Sequence, residues 1–435
     1  MRIHYTVTET KNKLMRSFFK YKYLGCLVTA NLISFYVFSQ NTNNPYSVYG
    51  IGDLDNTVYN RTSGMGGTGL AIKSGTFLID NNPASLTGLS RSFYVATLGA
   101  TGRTNTFNGT PITSDNNNSK DFWVKRFALA VKVNKFWASG VGFSQFSNVN
   151  YNLVGTRFVE GSADAYSVNF QGDGGLNEYY WTNAVSLGKH FSFGLKSSFI
   201  AGSINKNEIL NQANITSTIT TKQQDYYRNF RFQAGALYDM NLNTHWNVAV
   251  AGRFSPKTGL IYDRTLTVTE NAAAVESNKY LSSGTFYLPN SYAGGIALKH
   301  GIKSVFAVDY SYEDWSSLNI RDQGWELISS SRVSAGAEFS SYKNDRGILV
   351  EKRFYQVGGY YNMSYLQVRG QPINDWGISV GMGGSLKNQF LYSLSVQGGI
   401  RGTTVQDLIR QTFVGFTFSL SYRDFLLSKG RVYAD

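Results

Sequence analysis

Residues 416–423 read Phe-Thr-Phe-Ser-Leu-Ser-Tyr-Arg, and the alternation in this stretch decides the fold. Large apolar side chains occupy every second position, and small or polar side chains lie between them. Because successive side chains of a β-strand point to opposite faces of the sheet, the stretch predicts a strand with one apolar and one polar face. The same alternation recurs at residues 306–312, 332–339, 376–383 and 390–397.

The composition of the two faces favours a membrane barrel over a soluble sandwich. The polar face is mainly Gly, Ser and Asn, whereas the apolar face is rich in Phe, Tyr and Trp. Charged residues make up only 16% of the chain, well below the usual share in soluble domains. Because a bilayer core offers no water to the backbone, a sheet that spans it must close on itself. The sequence therefore predicts an all-β fold, a transmembrane antiparallel β-barrel with a lipid-facing apolar exterior.

The barrel is expected to occupy residues 91–425 and to have about fourteen strands. These predicted strands lie near 91–101, 124–134, 136–147, 178–188, 191–204, 228–240, 246–255, 290–299, 303–313, 332–342, 353–365, 376–387, 390–401 and 412–423. The links alternate between short and long, except for a medium link at 343–352. Outer-membrane barrels have short periplasmic turns and long extracellular loops, so both mature termini, including a tail at 426–435, are predicted to be periplasmic.

The first 40 residues have the layout of a secretory signal peptide. Basic residues at 16–22 precede an apolar stretch, Leu24 to Phe38, which is shorter than the ~20 residues of a spanning helix. Met15 is an alternative start for this signal. Cys26 is the single cysteine and precedes most of the apolar stretch, so neither a lipid anchor nor a disulfide is predicted.

Residues 41–90 break the alternation and are expected to form a hatch, or plug, within the barrel lumen. The segment is rich in Gly and ends in the run Asn82-Pro83-Ala84. A unit this small has little core of its own, whereas folding into the lumen would bury it; a flexible leader is the alternative. Pro83 fixes its own φ and restricts Asn82 to extended conformations, which predicts a defined bend at this point.

Four charged residues are predicted to face the lumen, where buried charges need partners or water. The alternation directs Asp309, Arg332, Glu338 and Arg401 inward. They are expected to form ion pairs with one another or with the hatch. The alternative is that Arg332 or Arg401 holds the carboxylate of a ligand by charge-assisted hydrogen bonds.

The sequence offers no pattern for catalysis, for a metal or for a cofactor. His190, His245 and His300 fall in predicted turns between different strand pairs, away from a converging Ser and carboxylate. The Gly-rich run at 64–69 lacks the Lys-Ser/Thr of a P-loop. The net charge of +13 is scattered, without a basic arm, so nucleic acid is not a predicted partner. The protein is predicted not to be an enzyme.

The order of signal peptide, Gly-rich segment, Asn-Pro-Ala run and barrel resembles the long-chain fatty acid transporter family, the FadL-like proteins. Residues 44–54, 309–316, 332–339 and 373–381 look like the branch of this family that is found in Bacteroidetes. In the family, the N-terminal segment is a hatch that carries the Asn-Pro-Ala motif, which matches Asn82, Pro83 and Ala84 here. Hydrophobic compounds leave sideways through a wall gap at a kinked third strand. Glycines at 140 and 142 permit such a kink, although they can equally line a crowded lumen.

The resemblance implies a channel of the Gram-negative outer membrane for passive uptake of hydrophobic molecules such as long-chain fatty acids. Its expected partners are these molecules, outer-membrane lipids and the outer-membrane assembly machinery. Some proteins of similar fold serve protein secretion. The alternative function is therefore a carrier or scaffold subunit of a secretion complex, whose proteins would then be partners.

Overall fold

A computed structural model describes residues 44–91, 93–110, 112, 117–158, 165–211, 218–345, 347–387 and 389–425. The predicted signal peptide, residues 1–40, and the predicted tail, residues 426–435, lie outside the described residues. Helical elements of the described part are 3-10 turns of three to six residues, and none of them has the length and apolar character needed to cross a bilayer.

Fourteen antiparallel strands form a closed barrel, which confirms the predicted fold. The barrel closes where the last strand pairs with the first, from Phe93 opposite Phe425 to Gly109 opposite Ile409. The strands are β1 (Phe93–Gly109), β2 (Asn118–Lys132), β3 (Trp137–Phe158), β4 (Ala165–Leu187), β5 (Phe191–Asn211), β6 (Thr218–Asn241), β7 (Trp246–Ser255), β8 (Ser291–His300), β9 (Ser304–Glu313), β10 (Ser330–Asp345), β11 (Ile348–Met363), β12 (Asp375–Lys387), β13 (Phe390–Arg401) and β14 (Ile409–Phe425).

The two faces of the wall follow the predicted alternation. In β14, Val414 and Phe416 are exposed on the outer face, whereas Ser419 and Ser421 are buried on the inner face. The same holds in β12, where Ile378 and Val380 are among the most exposed apolar side chains. Large apolar residues thus form the outer surface, and small polar residues face the interior.

Several strands are much longer than predicted. Strands β3 to β6 have 22, 23, 21 and 24 residues, about twice the length that crosses a bilayer. The predicted loops 148–177 and 205–227 are therefore mostly strand. Both faces of these extensions are rich in polar residues, and this removes the alternation that identified the membrane-spanning parts.

The predicted medium link at 343–352 is also wrong. Strands β10 and β11 pair as far as Asp345 opposite Ile348, so the connection is a tight turn like the others at this end. Charged residues on both faces of this hairpin, such as Lys343 and Lys352, obscure its alternation. The turns between strands are consequently short at one end of the barrel, the short-turn end, and long at the other, the long-loop end.

Two further elements stand at the long-loop end. An outer hairpin, Thr258–Glu270 and Ala273–Leu288, pairs with the outer half of β6. The loops after β9 and β11 pair with each other in a small four-stranded sheet. A cluster of buried apolar side chains, called here the outer cap, lies between these loops and the strand ends. It includes Trp315, Leu327, Leu366, Ile373, Leu408 and Tyr46.

Candidate functional site

Residues 44–91, called here the internal segment, contact inner-face residues on all sides of the barrel. The segment contains three 3-10 turns, Pro45–Val48, Arg61–Met65 and Pro83–Gly88, and a two-residue strand, Asp53–Leu54. Glycines of the wall leave the space that it needs. A Cβ added at Gly336 of β10 or Gly358 of β11 would overlap Met65, and one added at Gly194 of β5 would overlap Pro83.

The Asn82-Pro83-Ala84 run fastens the internal segment to β6 and β7. Asn82 is fully buried and extended, with φ −129° and ψ 128°, as the following proline requires. Its side-chain oxygen accepts a hydrogen bond from the Ala84 N–H at 3.0 Å and caps the turn that begins at Pro83. Its amide group donates to the Ala236 and Gly252 carbonyl oxygens at 3.0 and 3.3 Å.

Glu338, one of the four predicted lumen charges, binds Arg61 of the internal segment. The Arg61 Nε and Nη2 donate to the two Glu338 carboxylate oxygens at 2.9 and 2.6 Å. Arg61 also pairs with Glu351 at 2.6 Å, and its guanidinium lies 4.1 Å from the centre of the Phe354 ring. The Arg61 side chain is only 9% exposed, so this cluster is screened little by water.

The other three predicted lumen charges also contact the internal segment rather than one another. The Asp309 Oδ2 accepts hydrogen bonds from the backbone N–H groups of Gly69 and Leu70 at 2.6 and 2.9 Å. Arg332 donates to the Gly66 carbonyl oxygen at 3.1 Å. Arg401 makes two 2.7 Å hydrogen bonds to the Asp53 carboxylate.

Further contacts of the same kind escaped the sequence analysis. Lys73 pairs with Asp239 of β6, and Asp80 pairs with Arg126 of β2, at 2.6 and 2.7 Å. Arg253 of β7 donates to the Asn81 carbonyl oxygen at 2.8 Å. Arg126 interrupts an apolar stretch of β2, and this interruption is the feature of the sequence that could have identified Arg126 as a contact residue. The partners in the internal segment carry no periodic signal.

Asp53 and Asp80, the two aspartates of the internal segment that pair with wall arginines, stay ionised. Burial alone would raise the pKa of Asp53, but the adjacent Arg401 guanidinium outweighs burial and holds that pKa below its usual range. Burial would likewise raise the pKa of Asp80, but the charges of Arg126 and Lys196 outweigh burial and hold that pKa below its usual range. At neutral pH each carboxylate is therefore a charged partner for the wall.

The barrel wall parts between β2 and β3. These strands pair from Lys132 opposite Ala138 to Arg126 opposite Ser144, and among the described residues the pairing goes no further. Both strands continue beyond that point: β2 remains paired with β1 and β3 with β4. A register shift between Gln145 and Ser147 accompanies the parting. We call this opening the wall gap.

The internal segment enters the wall gap as a short strand. Asp53 pairs with Asn148, and Leu54 pairs with Ser147, on the free edge of β3. The Asp55 N–H donates to the Phe146 carbonyl oxygen at 3.0 Å and extends this pairing. The same segment that crosses the interior thus occupies part of the edge that β2 leaves open.

Two cavities adjoin the stretch Leu54–Tyr59 inside the barrel, and both are polar. The smaller, of about 160 Å³, reaches the wall gap, where Asp121 and Lys125 of β2 and Asn148 of β3 line it. The larger, of about 310 Å³, lies towards β6 to β10. An apolar crevice of about 10 Å³ lies between the internal segment and β2–β4, lined by Leu78, Leu86 and Ala128 among others.

His190, His245 and His300 lie at the short-turn end, as predicted. His190 Nδ1 is 2.6 Å from the Asp239 carbonyl oxygen, and the His300 ring packs 4.5 Å from that of Trp246. Within the described ranges, no group of three or more His, Cys, Asp or Glu side chains is arranged to hold a metal ion.

Comparison with solved structures identifies the fold as that of the FadL-like outer-membrane channels. The Pseudomonas putida toluene transporter TodX has a TM-score of 0.57 and 14% identity, over 86% of this chain and 100% of that chain. The Ralstonia pickettii toluene transporter TbuX has a TM-score of 0.55 and 14% identity, over 85% and 99%. A Pseudomonas aeruginosa FadL homologue has a TM-score of 0.55 and 12% identity, over 86% and 98%. These neighbours are transport proteins, not enzymes.

The family follows from the sequence itself. The model of the BamG family matches residues 21–432, and the chain belongs to that family. A search of curated proteins found no match. At 12–14% identity, the likeness to TodX, TbuX and the FadL homologue concerns the fold.

Proposed function

We propose that the protein is an outer-membrane channel for passive uptake of hydrophobic small molecules, with long-chain fatty acids as the first compounds to test. In this proposal the internal segment is the plug, and the wall gap is a lateral exit into the bilayer. The observation that carries the proposal is the parting of β2 from β3 at Ser144, with Asp53 and Leu54 of the internal segment paired to the freed edge.

A lateral exit suits this class of solute on physical grounds. A hydrophobic molecule gains free energy by entering lipid and loses it by entering a water-filled pore. At the wall gap, β2 presents three consecutive exposed apolar residues, Phe122, Trp123 and Val124, in place of the usual alternation. These side chains offer an apolar path from the gap to the surrounding lipid. The toluene transporters TodX and TbuX, which share the fold, support the same class of ligand.

The plug role rests on how the internal segment is held. Asp309 and Arg332 of the wall bind backbone groups of the segment. Its own Arg61 and Asp53 form ion pairs with Glu338 and Arg401 of the wall. Opening a route across the barrel requires that some of these contacts break. Because Asp53 and Leu54 also pair with β3, movement of the segment would open the wall gap at the same time.

A reversible disulfide that ties the internal segment to β3, called here the Leu54–Ser147 lock, tests this proposal. Leu54 and Ser147 are direct partners across an antiparallel pair, where the Cβ separation suits a disulfide. In a Cys26→Ser background, Leu54→Cys with Ser147→Cys is expected to block uptake of a labelled long-chain fatty acid under oxidising conditions. Reduction of the disulfide is expected to restore uptake.

A matched disulfide inside the intact wall serves as control. Val131 and Ser139 are partners in the paired part of β2 and β3, so Val131→Cys with Ser139→Cys leaves the gap untouched. This variant is expected to take up fatty acid equally in both redox states. Unchanged uptake by the oxidised Leu54–Ser147 variant contradicts the lateral exit.

A second candidate function is a carrier or scaffold subunit of a secretion or assembly complex. The polar character of both interior cavities and the packed outer cap are the observations that favour it. The oxidised Leu54–Ser147 lock separates the two functions. A scaffold is expected to retain a stoichiometric complex and its cellular role when locked, whereas a channel is expected to lose uptake.

A further inference from the structure

Three arginines that line the larger cavity make no ion pair with a described carboxylate: Arg332, which binds the internal segment and lies over the Tyr360 ring, and Arg231 and Arg253. Arg231 lies on β6 and Arg253 on β7, and neither has a carboxylate oxygen of a described residue within 4.0 Å. Arg231 donates from Nε to the Ser255 hydroxyl at 3.0 Å, and Arg253 donates from Nη1 to the Asn81 carbonyl oxygen at 2.8 Å. Each guanidinium carries five N–H groups, and among the described residues one hydrogen bond to the protein is made by each. Arg231 also lies 5.7 Å from the centre of the Phe146 ring.

The two side chains are neighbours on the inner face of the wall. Arg253 is opposite Gly235 in the pairing of β6 with β7, and Arg231 reaches across to Ser255, two positions beyond Arg253 on the same face. Two adjacent guanidinium groups repel each other, and an anion placed between them removes that repulsion. Planar guanidinium groups bind phosphate and carboxylate oxygens in pairs, which makes such an anion the fitting ligand.

Among the described residues, the acidic side chains of this cavity form no ion pair with Arg231 or Arg253, and each of them accepts a hydrogen bond from another donor. Glu178 pairs with Lys196, and Asp80 pairs with Arg126. The remaining three carboxylates, those of Asp55, Asp309 and Glu313, accept hydrogen bonds from neutral groups. The volume of about 310 Å³ exceeds that of a phosphate group and leaves room for a larger solute that carries one.

We propose that the larger lumen cavity is an anion site in which Arg231 and Arg253 together bind a phosphate or carboxylate group. This goes beyond the proposed uptake of hydrophobic molecules, because it assigns a binding site for an anionic group to the polar compartment between the internal segment and β6 to β10. Such a group is carried by a water-soluble solute or by the head of an amphiphile, and the two sources are separated by experiment.

Calorimetric titration of the full chain in a non-ionic detergent tests the site, with sodium phosphate as the probe at constant ionic strength. The intact protein is expected to bind phosphate saturably. Arg231→Gln and Arg253→Gln are each expected to weaken binding about tenfold or more, because each removes charge-assisted hydrogen bonds. Arg103→Gln is the matched control. Its guanidinium lies in the smaller cavity over Phe413, and we expect binding unchanged within about twofold.

Each outcome bears on the proposal. If octyl phosphate binds only as tightly as inorganic phosphate, the natural ligand is a water-soluble solute. If octyl phosphate binds much more tightly, and this binding is lost in Arg231→Gln and Arg253→Gln, the natural ligand is an amphiphile. Absence of saturable phosphate binding by the intact protein overturns the site. An equal loss in Arg103→Gln also overturns it, because general lumen charge would then explain the binding. Heat-modifiable mobility in gels shows that each variant is folded.

Discussion

Arg61→Met is expected to loosen the internal segment without unfolding the barrel. The substitution keeps most of the side-chain volume but leaves Glu338 and Glu351 in place without their cation. Removing one partner of a buried ion pair typically costs about 3–5 kcal/mol. At about 1.4 kcal/mol per tenfold, the equilibrium between released and bound segment should shift by roughly 10²- to 10⁴-fold.

Hydrogen exchange measured by mass spectrometry reports this shift directly. The Gly69 and Leu70 amides donate to Asp309 only while the segment is bound, so their exchange follows its release. In Arg61→Met we expect their exchange to accelerate by the factor given above, while amides of β13 and β14 stay protected. Unchanged exchange at Gly69 and Leu70 would refute the view that the Arg61 cluster holds the segment.

Two further variants separate this effect from the loss of any ion pair. Arg228→Met breaks an exposed pair with Asp263, in which the side chains are 46% and 36% exposed. Such a pair contributes about 0–1 kcal/mol, and exchange at Gly69 should change little. Adding Glu338→Gln and Glu351→Gln to Arg61→Met removes the uncompensated charges and is expected to restore much of the protection.

Three other perturbations have expected outcomes. Gly358→Ala places a Cβ against Met65, so it should raise both the hydrogen exchange of the internal segment and the ion conductance. In the control Gly294→Ala the added Cβ meets its nearest atom at 3.9 Å, and neither quantity should change. Equal effects of the two variants would contradict the close fit of the segment against the wall. The pKa of Asp53 is lowered in the folded protein, so its contribution is complete above the ordinary carboxyl pKa of about 4 and is lost as the pH falls through the lowered value. Exchange of the Asp55 amide should therefore rise only under strong acid, and Asp53→Asn should abolish that dependence. Val380→Arg on the lipid face should destabilise the barrel in the membrane by about 2–4 kcal/mol, whereas Val275→Arg on the outer hairpin should not. Comparing the heat-modifiable fractions of the two variants tests this.

The barrel was predictable because its signal is local. In β14, the polarity of each membrane-spanning residue indicates the face on which it lies: Phe416 is exposed on the outer face, and Ser419 is buried on the inner face. That signal ends where the strands leave the membrane. The outer halves of β3 and β6 carry polar residues on both faces, so sequence reasoning assigned them to loops.

For each of the four predicted lumen charges, the sequence identified the wall residue of the contact but not its partner in the internal segment. Alternation directed Asp309, Arg332, Glu338 and Arg401 inward, and each of them contacts the internal segment. Their partners could not be named, because the segment has no periodicity and its turns are set by the wall against which it packs. The resemblance implied a wall gap at the third strand, with residues 140 and 142 as the candidate kink. Both glycines lie in the paired part of β3, and the pairing with β2 ends beyond them at Ser144.

The central claim is that the internal segment closes the barrel, and conductance in planar bilayers tests it most directly. The intact protein should conduct little, because residues 44–91 contact wall residues on all sides of the barrel. Deletion of residues 44–86 should leave a heat-modifiable barrel that shows stepwise ion conductance. A folded deletion variant that stays closed, or an intact protein that is already an open pore, would contradict the account.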